Sequence, residues 1–345
     1  MKKVLIKNID DKEQWEAFVL SRAESNFLQS YNWGLFQQKL GKKFFSLGIF
    51  DEKRTQIGAM MVIKETAKRG SYLTVAGGPL IPSNIAESGL ILKEVLAYLK
   101  TLAQKEKCRF VRIRPQIRMS DSIQKLVKKA GLKPAPMHLT ADLTLELNLD
   151  QTEEELLAQM RKNTRYYIRR AQRDGIKTGV VVNPDRIKEF HQHQLYLAKK
   201  HSFVPFSYPY LAKQFETFLQ DNQVCLINSY TADDKLLASA FIIFYNQQAV
   251  YHYGISTPDN DKLPGSYATQ WAAIQEAKKR GCKVYNFWGI SSENEPKHRF
   301  AGVSLFKRGF GGKEIQYLPA HDLPIHPLYS VTRCFELIRK KIRGL

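Results

Sequence analysis

The stretch that decides the fold is GCKVYNFWGISSENEPKHRFAGVSLFKRGFGG, residues 281–312. Its opening run, KVYNFW, is apolar and β-prone, and it predicts a buried strand that ends at Gly289. A polar loop follows, and then a short amphipathic helix that stops at glycines. This order places polar side chains at the end of a sheet. Lys307 lies among aromatic residues of that helix, so we expect its ammonium to be partly shielded, although most lysines are solvated.

The order of predicted elements occurs twice along the chain. Each half has helices, a three-strand meander, a glycine-containing break, a long helix and a strand; the break is Gly77-Gly78-Pro79 in the first half and Gly254 in the second. This repeat predicts an α/β (α+β) fold with two tandem domains, each a mixed sheet flanked by helices. We place the domains at 1–149 and 150–317. The tail, 318–345, completes the first domain, with its C-terminal helix packed back on it.

The charge indicates an anionic partner. The chain has 53 Lys and Arg against 33 Asp and Glu, a formal charge of +20, and 43% hydrophobic residues, which is typical of a globular protein. Nucleic acid, an acidic membrane surface or a phosphorylated substrate would each complement this charge. Without a signal peptide or a transmembrane run, we expect a cytoplasmic protein. The basic, amphipathic segment 331–345 favours a helix packed on its domain, and a helix lying on an anionic membrane is the alternative.

The clearest local signal is a basic helix with the sequence MRKNTRYYIRRAQRDG, residues 160–175. Its cations are interleaved with two tyrosines, and several of them fall on one face at helical spacing. Such a ridge suits phosphates and unstacked bases, so we favour a nucleic-acid contact over a merely solvated face. The residues that carry this prediction are Arg161, Lys162, Arg165 and Arg169.

Several standard sites are missing from the sequence. The repeated order of elements resembles that of the GNAT acyltransferase fold. The pyrophosphate loop with which that fold binds acetyl-coenzyme A is absent from both halves, so we expect no coenzyme A and no other cofactor. Four widely spaced cysteines give no zinc-ligand spacing, and we expect no metal and reduced thiols. Tyr251 and Tyr253 alternate on one predicted strand, so they are expected to point to the same side, where hydroxyls could bind a sugar or a diphosphate.

Three blocks of the sequence together resemble the FemABX family, the aminoacyltransferases of peptidoglycan interpeptide bridges. They are FLQSYNWGLFQ at 27–37, the basic block at 162–177, and a C-terminal block that ends in VSLFKRGFGG. The resemblance implies two GNAT-like domains, aminoacyl-tRNA as the donor, and the stem-peptide amine of lipid II or UDP-MurNAc-pentapeptide as the acceptor. It also implies a monomer that works in the cytoplasm, with a possible peripheral position at the inner face of an anionic membrane.

The resemblance also assigns roles by position. Lys307 matches the family's functional lysine, and held cationic it would stabilise an oxyanion or a phosphate. Tyr210 and Tyr253 match tyrosines that contact the acceptor precursor. Where many members have a lysine this chain has Gln37, with Lys39 two residues on. Arg114 stands where some members have an acid, and both cations are candidate substrate contacts.

Three functions therefore stand in order of preference. The first is transfer of an amino acid from aminoacyl-tRNA to a peptidoglycan precursor. The second is a related N-acyl transfer to another cell-surface or small-molecule amine. The third is an RNA- or membrane-binding module without catalysis. The long helical arm that some family members insert in the second domain is absent, because the segment 175–210 leaves no room for it. The basic helix is therefore the main candidate to grip tRNA.

Overall fold

The computed structural model of the protein describes residues 4–67, 70–82 and 85–343. The chain divides into two units, 1–143 together with 316–345, and 144–315. Each unit is built on a seven-stranded sheet. The predicted boundary at 149/150 lies several residues too far along the chain. The strand Leu143–Asn148, which we assigned to the end of the first domain, pairs with a strand of the second sheet instead.

The first unit follows the predicted order of a helical start, a meander, a long helix and a further strand. Its elements before the tail are β1 (Leu5–Asn8), α1 (Lys12–Leu20), α2 (Tyr31–Lys39), β2 (Lys43–Phe50), β3 (Gln56–Ala67), β4 (Gly70–Gly77), α3 (Ile85–Lys105), β5 (Cys108–Pro115), α4 (Asp121–Lys129) and β6 (Lys133–Pro134). The helix α3 buries the apolar residues of one stripe, among them Val95 and Leu99, against Val111 and Ile113 of β5. That packing forms the core of the first unit.

The second unit repeats this plan with a longer helical start. It contains β7 (Leu143–Asn148), α5 (Glu153–Gln159), α6 (Lys162–Arg173), β8 (Lys177–Val181), α7 (Arg186–His201), α8 (Tyr208–Leu219), β9 (Val224–Tyr230), β10 (Leu236–Tyr245), β11 (Gln248–Ser256), α9 (Gly265–Lys279), β12 (Val284–Gly289), α10 (Ala301–Arg308) and β13 (Lys313–Gln316). A capping box starts α5, since Thr152 and Glu155 exchange side-chain to backbone hydrogen bonds there.

The sheet of the second unit is covered on both faces. Alternation along β10 sends Phe241 to one face, where it meets Phe190 of α7 and Phe215 of α8. Ile242 points to the other face, into the cluster that contains Ile274 of α9 and Ile168 of α6. The helices α7 and α8 therefore lie on one side of this sheet, and α6 and α9 lie on the other.

The tail returns to the first sheet. It forms β14 (His321–Pro324), which lies between β5 and β6, and then α11 (Tyr329–Arg343). Asp322 accepts two hydrogen bonds from the Arg112 guanidinium at 2.7 and 2.9 Å, and Glu336 of α11 accepts a third at 2.7 Å. The prediction that the C-terminal helix packs on the first domain is confirmed, whereas β14 was not predicted. Among residues 4–67, 70–82 and 85–343, no helix combines the length and the hydropathy that a membrane crossing needs.

Candidate active site

A cavity of the second unit lies beside the end of β11, where this strand separates from its parallel neighbour β12. The strands β11 and β12 pair only from Gln248 with Val284 to Val250 with Asn286. Each then continues separately, β11 to Ser256 and β12 to Gly289. The corresponding strands of the first unit, β4 and β5, stay paired to their ends at Gly77 and Pro115. The second sheet is thus open at a place where the first is closed.

This cavity has a volume of about 430 Å³ and is lined from both faces of the sheet. Leu197 and His201 of α7 line it on one face. Thr269 of α9 and Phe306 of α10 line it on the other. Its volume lies within the range of small-molecule sites, roughly 300–1,000 Å³. Two reactants could therefore enter from opposite faces and meet between the strands.

A β-bulge at His252 shapes the wall of the cavity. Phe241 of β10 pairs with Tyr253 and the next residue, Ile242, pairs with Tyr251, so that His252 is an extra residue in β11. Tyr251 consequently packs with the α9 face, while Tyr253 packs against Phe241 on the α7 face. The prediction that the two tyrosines point to the same side is wrong, because the bulge interrupts the alternation.

Lys307 lines the cavity and is only 7% exposed. Its Nζ donates a hydrogen bond to the carbonyl oxygen of Gly289, at 2.7 Å, and lies 5.5 Å from the centroid of the Tyr251 ring. Among the described residues, the cavity lining contains no Asp or Glu that could hold the charge of this lysine. Burial accordingly lowers the pKa of Lys307 to about 7. We expected Lys307 to be held cationic, but a pKa of about 7 means that both protonation states are populated near neutral pH.

Uncharged polar groups complete the wall. Gln270 of α9 is buried, and its Oε1 accepts a hydrogen bond from the Tyr285 hydroxyl at 2.8 Å. That bond fixes the side-chain amide and leaves its N–H groups as potential donors. Ser239 also lines the cavity, and its buried Oγ has no hydrogen-bond partner among the described residues. Neither residue stands out in the sequence, because a single Ser in a strand or Gln in a helix carries no pattern.

The basic helix α6 borders the cavity. Tyr167 of α6 stacks on Tyr267 at 4.8 Å between ring centroids, and Tyr267 meets Phe306 of the cavity wall at 5.0 Å. Thr164 packs so closely against the end of α10 that a Cβ on Gly309 would lie 2.4 Å from its Oγ1. Glycine is therefore needed at 309 for α6 and α10 to approach each other.

Comparison with known proteins identifies the family of this chain. A model of the FemAB family matches residues 11–131 and 226–337, which together make up more than half of the chain. The chain belongs to the FemAB family. It is 32% identical to the aminoacyltransferase FemA of Staphylococcus epidermidis over 105 residues, 30% of this chain and 25% of that protein. The match to FemA of Staphylococcus aureus is also 32%, over 111 residues, 32% of this chain and 26% of FemA. The matched segment thus spans about a quarter of the length of these relatives.

Solved structures confirm the fold. A crystal structure of FemX superposes with a TM-score of 0.82 over 96% of this chain and 100% of FemX, at 14% identity. A tandem GNAT protein from the clavulanic acid biosynthesis pathway superposes with a TM-score of 0.61 over 94% of this chain and 99% of that one, at 12% identity. The predicted fold, two tandem GNAT-like domains, is therefore confirmed.

The residues that the FemABX resemblance assigned to the acceptor fall in different places. Phe206 lies between Tyr210 and Tyr253, with 4.8 Å between ring centroids in each pair. Burial, and then the neighbouring Tyr210 hydroxyl, raise the pKa of Tyr253 well above its usual value. Tyr253 lines the cavity and Tyr210 does not. The two tyrosines are thus linked through Phe206 on the α7 and α8 side of the sheet.

The two cations assigned to substrate in the first unit differ in exposure. Lys39 is exposed in the last turn of α2. Arg114 of β5 is only 1% exposed, its guanidinium donates to Gln116 and to the carbonyl oxygen of Ala141, and it lies over the ring of Tyr317 at 4.8 Å. These contacts hold Arg114 inside its own unit, so the geometry favours a structural role over substrate binding.

The predicted tRNA-binding cations of α6 are also not equivalent. Arg161, Lys162 and Arg169 are exposed. Arg165 instead turns back, and its guanidinium donates to the carbonyl oxygens of Ala158, at 3.0 Å, and of Met160. It therefore ties α6 to the end of α5. Arg173, one helical turn beyond Arg169, is exposed and lies over the ring of Tyr166 at 5.8 Å, so it extends the cationic ridge.

Within the described part of the chain, no three His, Cys, Asp or Glu side chains cluster closely enough to hold a metal ion.

Proposed function

We propose that this FemAB-family chain transfers an amino acid from aminoacyl-tRNA to the stem-peptide amine of a peptidoglycan precursor, either lipid II or UDP-MurNAc-pentapeptide. The product would be an interpeptide bridge or its first residue. The observation that carries the proposal is the cavity beside β11, where this strand separates from β12: it is lined from both faces of the sheet, and Lys307 is one of its lining residues. The FemA relatives are named aminoacyltransferases, which supports the same reaction class.

The donor would enter from the side of α6, α9 and α10. The exposed cations Lys162, Arg169 and Arg173 suit the phosphates of an acceptor stem, and the exposed Tyr166 offers a stacking surface for an unpaired base. Ring contacts from Tyr167 through Tyr267 to Phe306 connect this helix with the cavity wall. An ester-linked amino acid at the 3′ end of the RNA could therefore reach the space beside Lys307.

The acceptor would enter from the opposite face, where α7, Tyr210 and Tyr253 lie. Tyrosine hydroxyls and rings at such a position suit a sugar or a peptide stem. The acceptor amine would then approach the ester carbonyl through the gap between the strands. Lys39, exposed in the first unit, stays a candidate for the phosphates of the precursor.

The chemistry needs little activation, because an aminoacyl ester is already reactive. The acceptor amine attacks the carbonyl carbon, a C–N bond forms, and the C–O bond to the ribose breaks. Lys307 in its ammonium form would stabilise the oxyanion and donate a proton to the departing ribose oxygen. It would regain a proton from the attacking nitrogen, which becomes positively charged in the same reaction. A pKa of about 7 suits both steps, since neither protonation state is strongly disfavoured.

No coenzyme is needed on this account, because the tRNA ester supplies both the acyl group and its activation. A monomeric state, a cytoplasmic location and a peripheral position at an anionic membrane stay predictions from the resemblance.

The direct test is transfer of radiolabel. Purified protein is mixed with tRNA charged with a labelled amino acid mixture and with either precursor, and labelled precursor is separated and counted. Ribonuclease-treated donor and acetyl-coenzyme A serve as controls. We expect labelled precursor only with intact charged tRNA. Label transferred to other amines but not to the precursor would favour the second function, and tRNA binding without any transfer would favour the third.

A further inference from the structure

The C-terminal helix α11 presents an apolar stripe to solvent. Val331, Phe335, Ile338 and Ile342 recur at intervals of four, three and four residues, which places them within an arc of roughly 60° on a helix. Their exposed fractions are 61%, 38%, 54% and 80%. Large apolar residues that are aligned and exposed in this way mark an interaction surface more often than scattered ones do.

The opposite face of α11 meets the first unit mainly through polar contacts, beside the Tyr329 ring that packs on Phe110. The Tyr329 hydroxyl donates to Asp322 at 3.0 Å, and Glu336 accepts from Arg112 at 2.7 Å. The Arg333 guanidinium donates to the carbonyl oxygen of Pro134 at 2.6 Å. A surface helix ordinarily buries its apolar face against its domain. Here polar contacts hold the helix, and the apolar stripe points away from the core.

Cations flank the stripe on both sides. By helical geometry, Arg339 lies roughly 70° to one side of the centre of the stripe and Lys341 roughly 90° to the other. The helix has one acid in its sequence, Glu336, and that side chain is bonded to Arg112 on the inner face. The outer surface of α11 is therefore apolar at its centre and positively charged at its margins.

We propose that α11 binds the surface of an anionic phospholipid bilayer and lies in the plane of the membrane. The stripe would enter the boundary between headgroups and acyl chains, while Arg339 and Lys341 would reach lipid phosphates along their aliphatic stems. Charge complementarity selects lipid over a second copy of this chain. Two such helices placed face to face would bring their cationic margins together with no acid to compensate them.

This inference does not depend on the proposed enzymatic function, because α11 belongs to the first unit and no residue of the cavity takes part. The protein is mixed with vesicles of phosphatidylcholine alone or of phosphatidylcholine with phosphatidylglycerol, and the bound fraction is measured by flotation. We expect binding to the anionic vesicles that weakens with salt, and little binding to the neutral ones.

Paired variants separate the two parts of the surface. Ile338→Asn with Ile342→Asn should weaken binding to anionic vesicles at least about tenfold, because the apolar area is lost. Arg339→Gln with Lys341→Gln should remove most of the preference for anionic vesicles. The matched control is Val180→Asn with Val182→Asn, an apolar pair that is exposed by 46% and 47% in the second unit, and its binding should be unchanged.

A fluorescent label gives a second readout that does not depend on the variants. Cys334 is exposed on α11 beside the stripe, whereas Cys108, Cys225 and Cys282 are buried, so an environment-sensitive thiol reagent should label Cys334 selectively. Its emission should shift to shorter wavelength when anionic vesicles are added, as the label enters a less polar region.

Several results would overturn the proposal. One is wild-type protein that fails to float with anionic vesicles. Another is flotation that is equal for wild type and for Ile338→Asn with Ile342→Asn. A third comes from sedimentation velocity, in which a wild-type dimer that the same double variant converts to a monomer would show that the stripe is a contact between copies of this chain.

Discussion

Replacing Lys307 with methionine should change stability in a direction that reverses with pH. The side chain keeps its length but loses its charge. Burial lowers the pKa of Lys307 from 10.5 to about 7, which corresponds to about 5 kcal/mol because each pKa unit is worth about 1.4 kcal/mol. Between these two values the unfolded chain holds the proton and the folded chain releases it, so the stability of the wild type rises with pH across this window.

The methionine variant has no buried ammonium, so it lacks this destabilisation. It also leaves the carbonyl oxygen of Gly289 without its hydrogen-bond donor, which costs about 1–3 kcal/mol. At about pH 7 and below, the variant should therefore be more stable than wild type by about 2–4 kcal/mol. Above about pH 10.5 it should be less stable by about 1–3 kcal/mol. Its turnover should meanwhile fall at least about tenfold.

The assay is urea denaturation of both proteins across this pH range, followed by circular dichroism. Lys313→Met is the matched control, since it removes the same charge from an exposed position. It should change the free energy of unfolding by no more than a few tenths of a kcal/mol. A loss of stability in Lys307→Met that is equal at all pH values would contradict the claim that the buried ammonium of Lys307 destabilises the wild type.

Other predictions concern the helix α6, the tail and the acceptor side. Arg169→Gln with Arg173→Gln should flatten the slope of log K for tRNA against log salt by roughly 1.4–1.8, because each lost phosphate contact removes roughly 0.7–0.9. Arg165→Gln should mainly lower the unfolding free energy, by about 1–3 kcal/mol, because the carbonyl oxygens of Ala158 and Met160 lose their donor. In urea titrations, Asp322→Ala should destabilise the first unit by about 3–5 kcal/mol, since it leaves buried Arg112 half paired. Tyr210→Phe should raise KM for the precursor and leave tRNA affinity unchanged, and the opposite pattern in binding assays would assign this face to the donor.

Much of the fold was predictable, because strands that are buried on both faces have nearly continuous apolar sequences that can be recognised. The meander of the second unit is such a case: it was predicted, and β9, β10 and β11 are mostly buried along their length. The boundary between the units was less predictable. β7 has one apolar face that suits either sheet, and only its pairing with β12 assigns it to the second. Likewise, β14 is a four-residue strand between prolines and has no periodicity to detect.

The candidate site was predictable in its position but not in its chemistry. The motif around Lys307 indicated the end of a sheet, and the structure places it there. The bulge at His252 could not be predicted, because a bulge depends on how two strands pair and not on one strand alone. The pKa of Lys307 could not be predicted either, since it depends on the absence of nearby acids from several elements. Arg165 matched the basic ridge in spacing, but its partners come from the preceding turn.

The most direct test of the central claim is a single-turnover transfer assay with the cavity open and blocked. Gly302 of α10 lines the cavity, and a Cβ added there would meet no atom within 4 Å, so Gly302→Trp should fold and fill the space beside Lys307. Gly179→Trp on β8, where a Cβ also meets no atom within 4 Å, is the control. We predict transfer of label from charged tRNA to precursor by the wild type and by Gly179→Trp, and a loss of at least about tenfold in Gly302→Trp. Equal transfer by all three proteins would show that the reaction does not occur in this cavity, and no transfer by any of them would contradict the assigned activity itself.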